Sequence, residues 1–424
     1  MRALLILLIA APISAQMPAV RLINAPDASS PHAFGVVIAV RQLPGGRLLV
    51  NDIQKRQLTL LDPALASPTI VADSTSGAAN SYGVRPGGLI AYTGDSTLFV
   101  DPAGLSMFVI DPAGKIARVA SVPRSQDAMN IGTNVFGTPA LDAHGRLVYR
   151  GSFGRMLAPP PRGGKMPMIP QPPDSAPLVR VDLATRKLDT AAFFRIPAVK
   201  LNVQQTDNGI VATSEQNPMP IVDDWAVLAD GSIAIVRGQD FHVDIVHPDG
   251  SLTSGAKIPF DWQRLTDDDK VAVIDSAKAA FERARSRVGN GEGSGEGRGA
   301  GGGRGDGMVV MSFRTGPGGG VRTGEGGGLP PITFISPSEL PDYRPPFRVN
   351  AARADEDGNL WVRTTAIREG SVGGPIYDVI NGKGELIDRV QVPAGREIVG
   401  FGKGGVVYMI ANDNSGAWVE RTHR

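Results

Sequence analysis

The sequence predicts an all-β fold, a six-bladed β-propeller with four-stranded blades, and three observations indicate it. A short β-patterned run that meets a Gly or Asp turn and returns as a second run occurs six times along the 424 residues, which is the signal of a β-hairpin. A second run–turn–run module follows five of these hairpins, so each pair of modules makes a four-stranded meander of about the length of a propeller blade. The 53 glycines and 34 prolines favour many turns over long helices.

The six hairpins share a turn position but not its chemistry. They begin at Val40, Leu89, Pro139, Ala226, Arg353 and Ile398. In the fifth copy, "RADEDGNLWVRT", the turn holds Asp355 and Asp357, where the other copies have Gly45, Asp95, His144, Asp230 and Lys403. Turn geometry explains this mixture, because Asp and Gly tolerate tight bends, whereas an EF-hand calcium loop also needs a glutamate at its twelfth position and flanking helices. We therefore predict a hairpin turn here rather than a calcium loop.

We expect the sixth blade to lack its outermost strand, because the sequence ends with "AWVERTHR". The segment "PAVRLINA", from Pro18 to Ala25, has the pattern of a spare strand. We expect it to pair with the last blade, so that the N-terminal strand closes the ring and leaves no long edge bare. A β-sandwich followed by a second β domain is the alternative.

Composition and the N-terminal segment predict an exported protein. Residues 1–15 have one arginine, a short apolar run and small residues at Ser14 and Ala15, which is the pattern of a signal peptide. We expect residues 16–424 to form a single propeller domain that is monomeric, periplasmic or extracellular, and without a transmembrane span. The net charge of +1 gives no global field for binding nucleic acid. The sequence contains no cysteine, which excludes disulfides, thiol nucleophiles and cysteine-ligated metals.

Two insertions interrupt the repeats. The first is a proline-rich segment, residues 152–176, which lies within blade three and predicts an extended surface loop.

The second insertion, residues 262–344, lies between blades four and five and contains a predicted helix over 265–288. Thr266 and Asp269 stand in capping-box relation at the start of this helix. Its apolar face consists of Val271, Ile274, Ala277, Phe281, Ala284 and Val288. We expect this amphipathic helix to dock on the propeller, with a membrane or partner surface as the alternative. The glycine-rich residues 289–328 predict a flexible linker.

The copies "LPGGRLLVND", "DAHGRLVYRG", "LADGSIAIVR" and "DEDGNLWVRT" resemble the exported six-bladed propellers of the NHL, TolB-like and gluconolactonase-like group. The resemblance covers about residues 18–259 and 345–424. It implies the architecture rather than one activity, because the group includes protein-binding propellers, polymer-associated periplasmic proteins and calcium-dependent lactonases.

Polar residues at the predicted strand ends are candidates for a ligand site at the channel mouth. Asn51, Asp101, Arg150 and Arg363 stand at the exit of the second strand of their blades, with Arg237 one place further along. The loops that enter the innermost strands add Arg85 and Arg348. Arginines in such a ring would bind a carboxylate or phosphate, which predicts a small anionic ligand. The alternative is that these side chains pair with local acids.

The resemblance to gluconolactonase-like enzymes implies a second kind of site, a calcium ion on the channel axis held by side chains from several blades. Asn51, Asp101, Asn134 and Asp224 could supply such a set, although no glutamate stands at the expected blade entrance. No G-x-S-x-G nucleophile elbow and no phosphate-binding P-loop are visible, and the matches to the dinucleotide-binding pattern G-x-G-x-x-G lie in the linker.

We therefore predict a non-catalytic scaffold, with no cofactor, that binds a protein or a small anionic ligand through the channel mouth and the inserted loops. A calcium-dependent lactonase or esterase is the alternative function. A third possibility is a cell-envelope assembly component that binds its partners on the helix 265–288.

Overall fold

The computed structural model describes residues 17–152, 171–289, 313–315, 321–322, 332–366 and 373–424, except residues 76, 79, 84, 86, 207–208 and 414–415. The predicted signal peptide lies outside the described residues. So do most of the proline-rich insertion and most of the glycine-rich segment.

Strands dominate the first half of the described chain. Two short strands come first, β1 (Val20–Leu22) and β2 (Ala28–Ser29). Sheet I consists of β3 (Val37–Gln42), β4 (Leu48–Asp52), β5 (Gln57–Leu61) and β6 (Pro68–Ala72). Sheet II consists of β7 (Gly88–Ala91), β8 (Thr97–Asp101), β9 (Ser106–Ile110) and β10 (Ile116–Ser121), and the short helix α1 (Ala128–Gly132) follows it. Sheet III consists of β11 (Ala140–Leu141), β12 (Leu147–Arg150), β13 (Ser175–Val181) and β14 (Leu188–Arg195).

The second half continues this pattern around one long helix. The hairpin β15 (Lys200–Thr206) and β16 (Gly209–Gln216) precedes sheet IV, which consists of β17 (Asp224–Val227), β18 (Ile233–Arg237), β19 (His242–Val246) and β20 (Leu252–Ser254). The helix α2 (Asp267–Gly289) is followed by β21 (Phe313–Thr315), β22 (Val321–Arg322) and β23 (Ile332–Phe334). Sheet V contains β24 (Phe347–Ala354), β25 (Leu360–Thr364), β26 (Ile376–Ile380) and β27 (Leu386–Gln391); sheet VI contains β28 (Arg396–Gly402), β29 (Val406–Asp413) and β30 (Gly416–His423). Short 3-10 turns lie at Pro44–Gly46, Thr93–Asp95, Ser125–Asp127 and Pro337–Glu339.

The repeated antiparallel four-stranded sheets are those of a β-propeller, and the all-β prediction is confirmed. Each predicted hairpin turn joins two antiparallel strands, as in sheet V, where β24 pairs with β25. The Asp355 carboxylate accepts the backbone N–H groups of Asp357 at 3.0 Å and Asn359 at 2.8 Å, and Gly358 has φ +85°. Asp355 therefore stabilises the hairpin turn, as the sequence predicted for this stretch.

A separate apolar core joins each pair of neighbouring sheets. In β4, Leu48 and Val50 pack against sheet VI, whereas Leu49 packs against sheet II. In β18, Ile233 and Ile235 face sheet III, whereas Ala234 and Val236 face sheet V. Further cores join sheets II and III and sheets V and VI. Successive side chains of a strand point to opposite faces, so the second strand of these sheets contributes to two cores at once.

The N-terminal strands pair differently from the prediction. β1, within the segment expected on the last blade, runs parallel to β27 and becomes a fifth strand of sheet V. The next strand, β2, pairs antiparallel with β30 and completes sheet VI as a four-stranded sheet. The prediction for "PAVRLINA" was therefore wrong about its partner, because the short polar segment after it supplies the missing outer strand.

A seventh sheet was not predicted from the sequence. The hairpin β15–β16 belongs to no blade repeat; β16 pairs antiparallel with β21 and parallel with β23. Apolar residues on both sides of an Asp-Asn-Gly turn signal at residues 207–209 could have indicated this hairpin.

Helix α2 begins with the predicted capping box: Thr266 Oγ1 accepts the N–H of Asp269 at 3.2 Å, and the Asp269 carboxylate accepts the N–H of Thr266 at 2.9 Å. Ile274 and Phe281 are buried as predicted, but Val271 is exposed and Lys270 takes the buried position beside it. Ile274 packs in a core with Met219, Leu265, Ile335 and Leu340. Among the described residues, no helix has both the length and the hydropathy needed to cross a membrane.

A matched pair of glycines tests the packing between sheets III and IV. Gly231 and Gly250 have nearly the same φ, +84° and +88°, but a Cβ on Gly231 would lie 2.1 Å from Ala143 N, whereas a Cβ on Gly250 would meet nothing within 4 Å. We expect Gly250→Ala to cost about 1 kcal/mol of unfolding free energy, from the backbone alone. Gly231→Ala should cost a further ~1–3 kcal/mol, because it forces the two turns apart. Equal losses in chemical denaturation would contradict this packing.

Candidate functional site

Asn51 and Asp101, which were predicted to face the channel, form hydrogen bonds with the backbone of nearby loops. Asn51 is 1% exposed, and its Nδ2 donates to the carbonyl of Gly87 in the segment entering sheet II at 2.7 Å. The Asp101 carboxylate accepts the N–H groups of Gly83 and Ala103, each at 3.1 Å. Both side chains thus fasten the loops next to their strands.

The predicted arginines have partners close to them. Arg150 Nη2 donates to Asn130 Oδ1 at 2.7 Å, and its guanidinium lies 4.9 Å from the ring centroid of Phe136. Arg363 pairs with Glu397 of sheet VI at 3.2 Å. These contacts agree with the alternative of local pairing, and an anionic ligand would compete with them.

Arg237 belongs to a larger charged network at the β18–β19 hairpin. It pairs with Asp223 and with Asp244, each at 2.8 Å. His242 joins the network between Asp244, at 3.2 Å, and Asp240, at 2.7 Å. Asp223 also accepts a backbone N–H from the turn after Arg237. The network stiffens this hairpin and leaves Asp240 at its outer end.

The remaining candidates lie at different places. Arg85 is exposed in the segment before sheet II, and Asn134 is half-buried after α1. Arg348 is exposed in β24 and borders a cavity described below.

Asp224 ties sheet IV to sheet V. It is fully buried, and its carboxylate accepts the N–H groups of Ala351 at 2.7 Å and Ala352 at 3.0 Å, where β24 departs from regular pairing. The N–H of Trp225 donates to its other oxygen at 2.9 Å. Burial raises the pKa of Asp224 to about 6, although these hydrogen bonds favour the ionised form.

The predicted calcium ligands do not fit a metal centre in this arrangement. Both oxygens of Asp101 and of Asp224 are engaged by N–H groups, and a calcium ion, which takes six to eight oxygen ligands, would have to displace them. Asn51 Oδ1 is buried without a hydrogen-bond partner in the described part of the chain, and among the four predicted ligands it alone is recorded as an unengaged buried oxygen. The described residues contain no group of three or more His, Asp or Glu that converge as metal ligands.

The structure points instead to the base of the 262–344 insertion. Its entry and exit, residues 262–265 and 341–344, run side by side, and we call them the neck. Leu265 N donates to Asp342 O at 2.8 Å, Arg344 N donates to Gln263 O at 2.9 Å, and Arg264 forms a bridge with Tyr343 between them. The neck is therefore a short antiparallel ladder rather than a loose connection.

The neck forms one wall of a cavity of about 390 Å³. Trp262 and Tyr343, which are 40% and 48% exposed, lie on this wall, and Phe260 meets the Trp262 ring edge-on at 5.5 Å. The β18–β19 hairpin forms the opposite side with Gln239 and Asp240. A volume of this size fits a small ligand or a few peptide residues.

A smaller cavity of about 20 Å³ shares Pro345 with the larger one. Its lining includes Pro218, Met219, Pro220, Phe347 and Arg348. We call the two adjoining cavities the neck groove. Proline, aromatic and aliphatic side chains make up much of its surface.

Helix α2 holds the neck in place. Lys270, buried on the helix, pairs with Asp342 at 2.7 Å, and this hydrogen bond lowers the pKa of Asp342. Met219 packs in the helix core and also lines the smaller cavity. The helix therefore fixes the groove instead of forming a separate unit.

The two carboxylates of the larger cavity are paired. Asp240 lies 3.5 Å from Lys257. Burial alone would raise the pKa of Asp240, but His242 and Lys257 outweigh burial and hold it below its usual value. Asp342 is paired with Lys270 as described. Sequence reasoning missed this groove, and the signal available was that aromatic residues stand at both boundaries of the insertion.

Comparisons with known proteins concern the fold. No protein-family model and no curated protein matches the chain. A virginiamycin B lyase from Staphylococcus aureus is 11% identical, with 93% of this chain and 97% of that chain covered and a TM-score of 0.35. TolB from Acinetobacter baumannii is 9% identical, with 92% and 65% covered and a TM-score of 0.34. A gluconolactonase from Xanthomonas campestris is 12% identical, with 95% and 99% covered and a TM-score of 0.27. Nothing about the activity of this chain follows from similarities at this level.

Asp224 predicts a specific pH dependence of stability. Its pKa is raised from the ordinary value of 3.8 to about 6 in the folded chain, so between these pH values the folded chain holds a proton that the unfolded chain has released. The stability due to this group is complete below about pH 4 and is lost as the pH rises through about 6, by up to ~3 kcal/mol. We expect the Asp224→Asn variant to lack this loss, as measured by denaturant unfolding at pH 4.5 and pH 7. Parallel pH profiles of the two proteins would contradict the assignment.

Proposed function

We propose that the chain is an exported, six-bladed β-propeller that acts as a non-catalytic binding scaffold. Sheets I to VI are the six blades, and the ring closes where sheet VI meets sheet I. The support is the series of six cores between neighbouring sheets, the last of which brings Tyr408 of β29 against Leu48 of β4. Both N-terminal strands then reinforce the closure, β1 on blade five and β2 on blade six.

The scaffold binds its ligand in the neck groove. The observation that carries this proposal is that two large aromatic side chains, Trp262 and Tyr343, stand exposed on the wall of a 390 Å³ cavity while the ladder of the neck and the Lys270–Asp342 pair hold that wall still. Aromatic side chains in a fixed wall give a large contact area at low entropic cost, which is typical of binding hot spots. The channel residues, in contrast, are engaged by their own blades.

We propose further that the protein works outside the cytoplasm, in the periplasm or beyond the cell, as a monomer. The signal-peptide pattern of residues 1–15 supports export. A calcium-dependent hydrolase remains the other candidate of the sequence reading, and it would require Asp101 and Asp224 to exchange their backbone partners for a metal ion.

A selection from a random decapeptide library displayed on phage tests the binding function. The full-length chain is the bait, and the matched variants are Trp262→Ala in the groove and Leu252→Ala, which changes an apolar side chain that is 59% exposed on β20, the outer strand of sheet IV. We expect enriched peptides to bind the wild type and Leu252→Ala alike and to lose about tenfold or more in affinity for Trp262→Ala, because a buried aromatic contact is worth at least ~1.4 kcal/mol.

If the enriched peptides bind all three proteins equally, the neck groove is not the recognition site. The far-UV circular dichroism and the melting temperature of each variant serve as the control for folding.

A further inference from the structure

The apolar surface of the neck groove is built from rings. Pro218 and Pro220 line the smaller cavity, Pro341 lines the larger one, and Pro345 lines both. The exposed rings of Trp262 and Tyr343 complete the wall. Such ring surfaces pack closely on other flat, rigid rings, and grooves walled by aromatic residues are the usual docking site of proline-rich segments in the polyproline II conformation.

Several polar groups around these rings are donors. No hydrogen bond within the described chain engages Trp262 Nε1 or Tyr343 Oη. Gln239 uses its Oε1 to accept from Arg195 at 2.9 Å, which leaves its NH₂ group available. The ammonium group of Lys257 is a further donor, on a side chain that is 74% exposed. A ligand that suits this wall therefore offers several acceptors.

A polyproline II segment meets that requirement. Its backbone makes no internal hydrogen bonds, so its carbonyl groups remain free to accept, and each proline lacks an N–H that would need a partner. It is also extended and rigid before binding, so little conformational entropy is lost when it binds.

The charges argue against a basic peptide. Asp240 is paired with Lys257, and Asp342 is paired with Lys270. Arg344, which lines the smaller cavity, donates to the neutral Gln263 at 3.0 Å. The carboxylates of the groove are therefore already matched and would not select a basic segment, whereas rings and carbonyl acceptors suit the wall.

We propose that the neck groove binds an extended, proline-containing segment of a partner protein, with proline rings on Trp262 and Tyr343 and backbone carbonyls facing the donors of the wall. This inference rests on the proposed function, because it names the ligand class of the same groove.

Fluorescence anisotropy with two labelled peptides tests it on the full-length chain. The probes are acetylated decaproline and a Gly-Ser peptide of the same length, which has the same number of carbonyl groups but neither rings nor rigidity. We expect saturable binding of decaproline only. Binding should be about tenfold weaker or more for Trp262→Ala, several-fold weaker for Tyr343→Phe, which removes only the hydroxyl donor, and unchanged for Leu252→Ala.

Equal binding of both peptides, or decaproline binding that survives Trp262→Ala in a folded protein, would overturn the inference. If decaproline fails while the phage selection yields Trp262-dependent peptides without proline, the ligand class is wrong and the binding function stands. If neither experiment gives a ligand that depends on Trp262, both proposals fall. Tyr343→Phe keeps the test valid should Trp262→Ala fail to fold, since it changes one atom at the groove surface.

Discussion

Burial of the second strand of each sheet on both faces is the constraint on which the rest of the structure depends. In β18, Ile233 and Ile235 pack on one neighbouring sheet while Ala234 and Val236 pack on the other. Because the side-chain period of a strand is two, a slip of one residue would exchange the two sets and misfit both cores. This is why the second run of each hairpin is an almost unbroken apolar stretch, and why turns between the strands are held by carboxylates such as Asp355 that bond to the backbone.

The same constraint explains what the polar strand ends do. Backbone N–H groups that are buried between two sheets need hydrogen-bond acceptors. The Asp224 carboxylate of sheet IV accepts the N–H groups of Ala351 and Ala352 in sheet V. Side chains committed in this way are poor candidates for a ligand. The side chains of the insertion between sheets IV and V are not required to bond to backbone groups between two blades. Its neck presents Trp262 and Tyr343 at the surface, while helix α2 supplies the rigidity through Lys270. In this account the blades provide stability, and the insertion provides recognition.

Features set by short stretches of sequence could be predicted, and features set by distant partners could not. Hairpins and the Thr266–Asp269 cap depend on residues a few positions apart, so their signals are local. The partner of β1 depends on a register with β27, more than 360 residues away, and no local pattern specifies it. The groove likewise needs Trp262 beside a segment about eighty residues later. The sequence pattern of the strand-end arginines could not reveal that Asp223 pairs with Arg237 or that Glu397 pairs with Arg363.

Hydrogen–deuterium exchange of the full-length chain, with and without an excess of decaproline, tests most directly whether recognition occurs at the neck. The account predicts slower exchange confined to residues 218–221, 238–240, 257–265 and 341–349, which border the groove. The backbone of the channel mouths around Asn51 and Asp101 should not change. Slower exchange at those mouths, or no change in the segments of the neck at saturating peptide, would contradict the claim that the insertion rather than the channel carries the binding site.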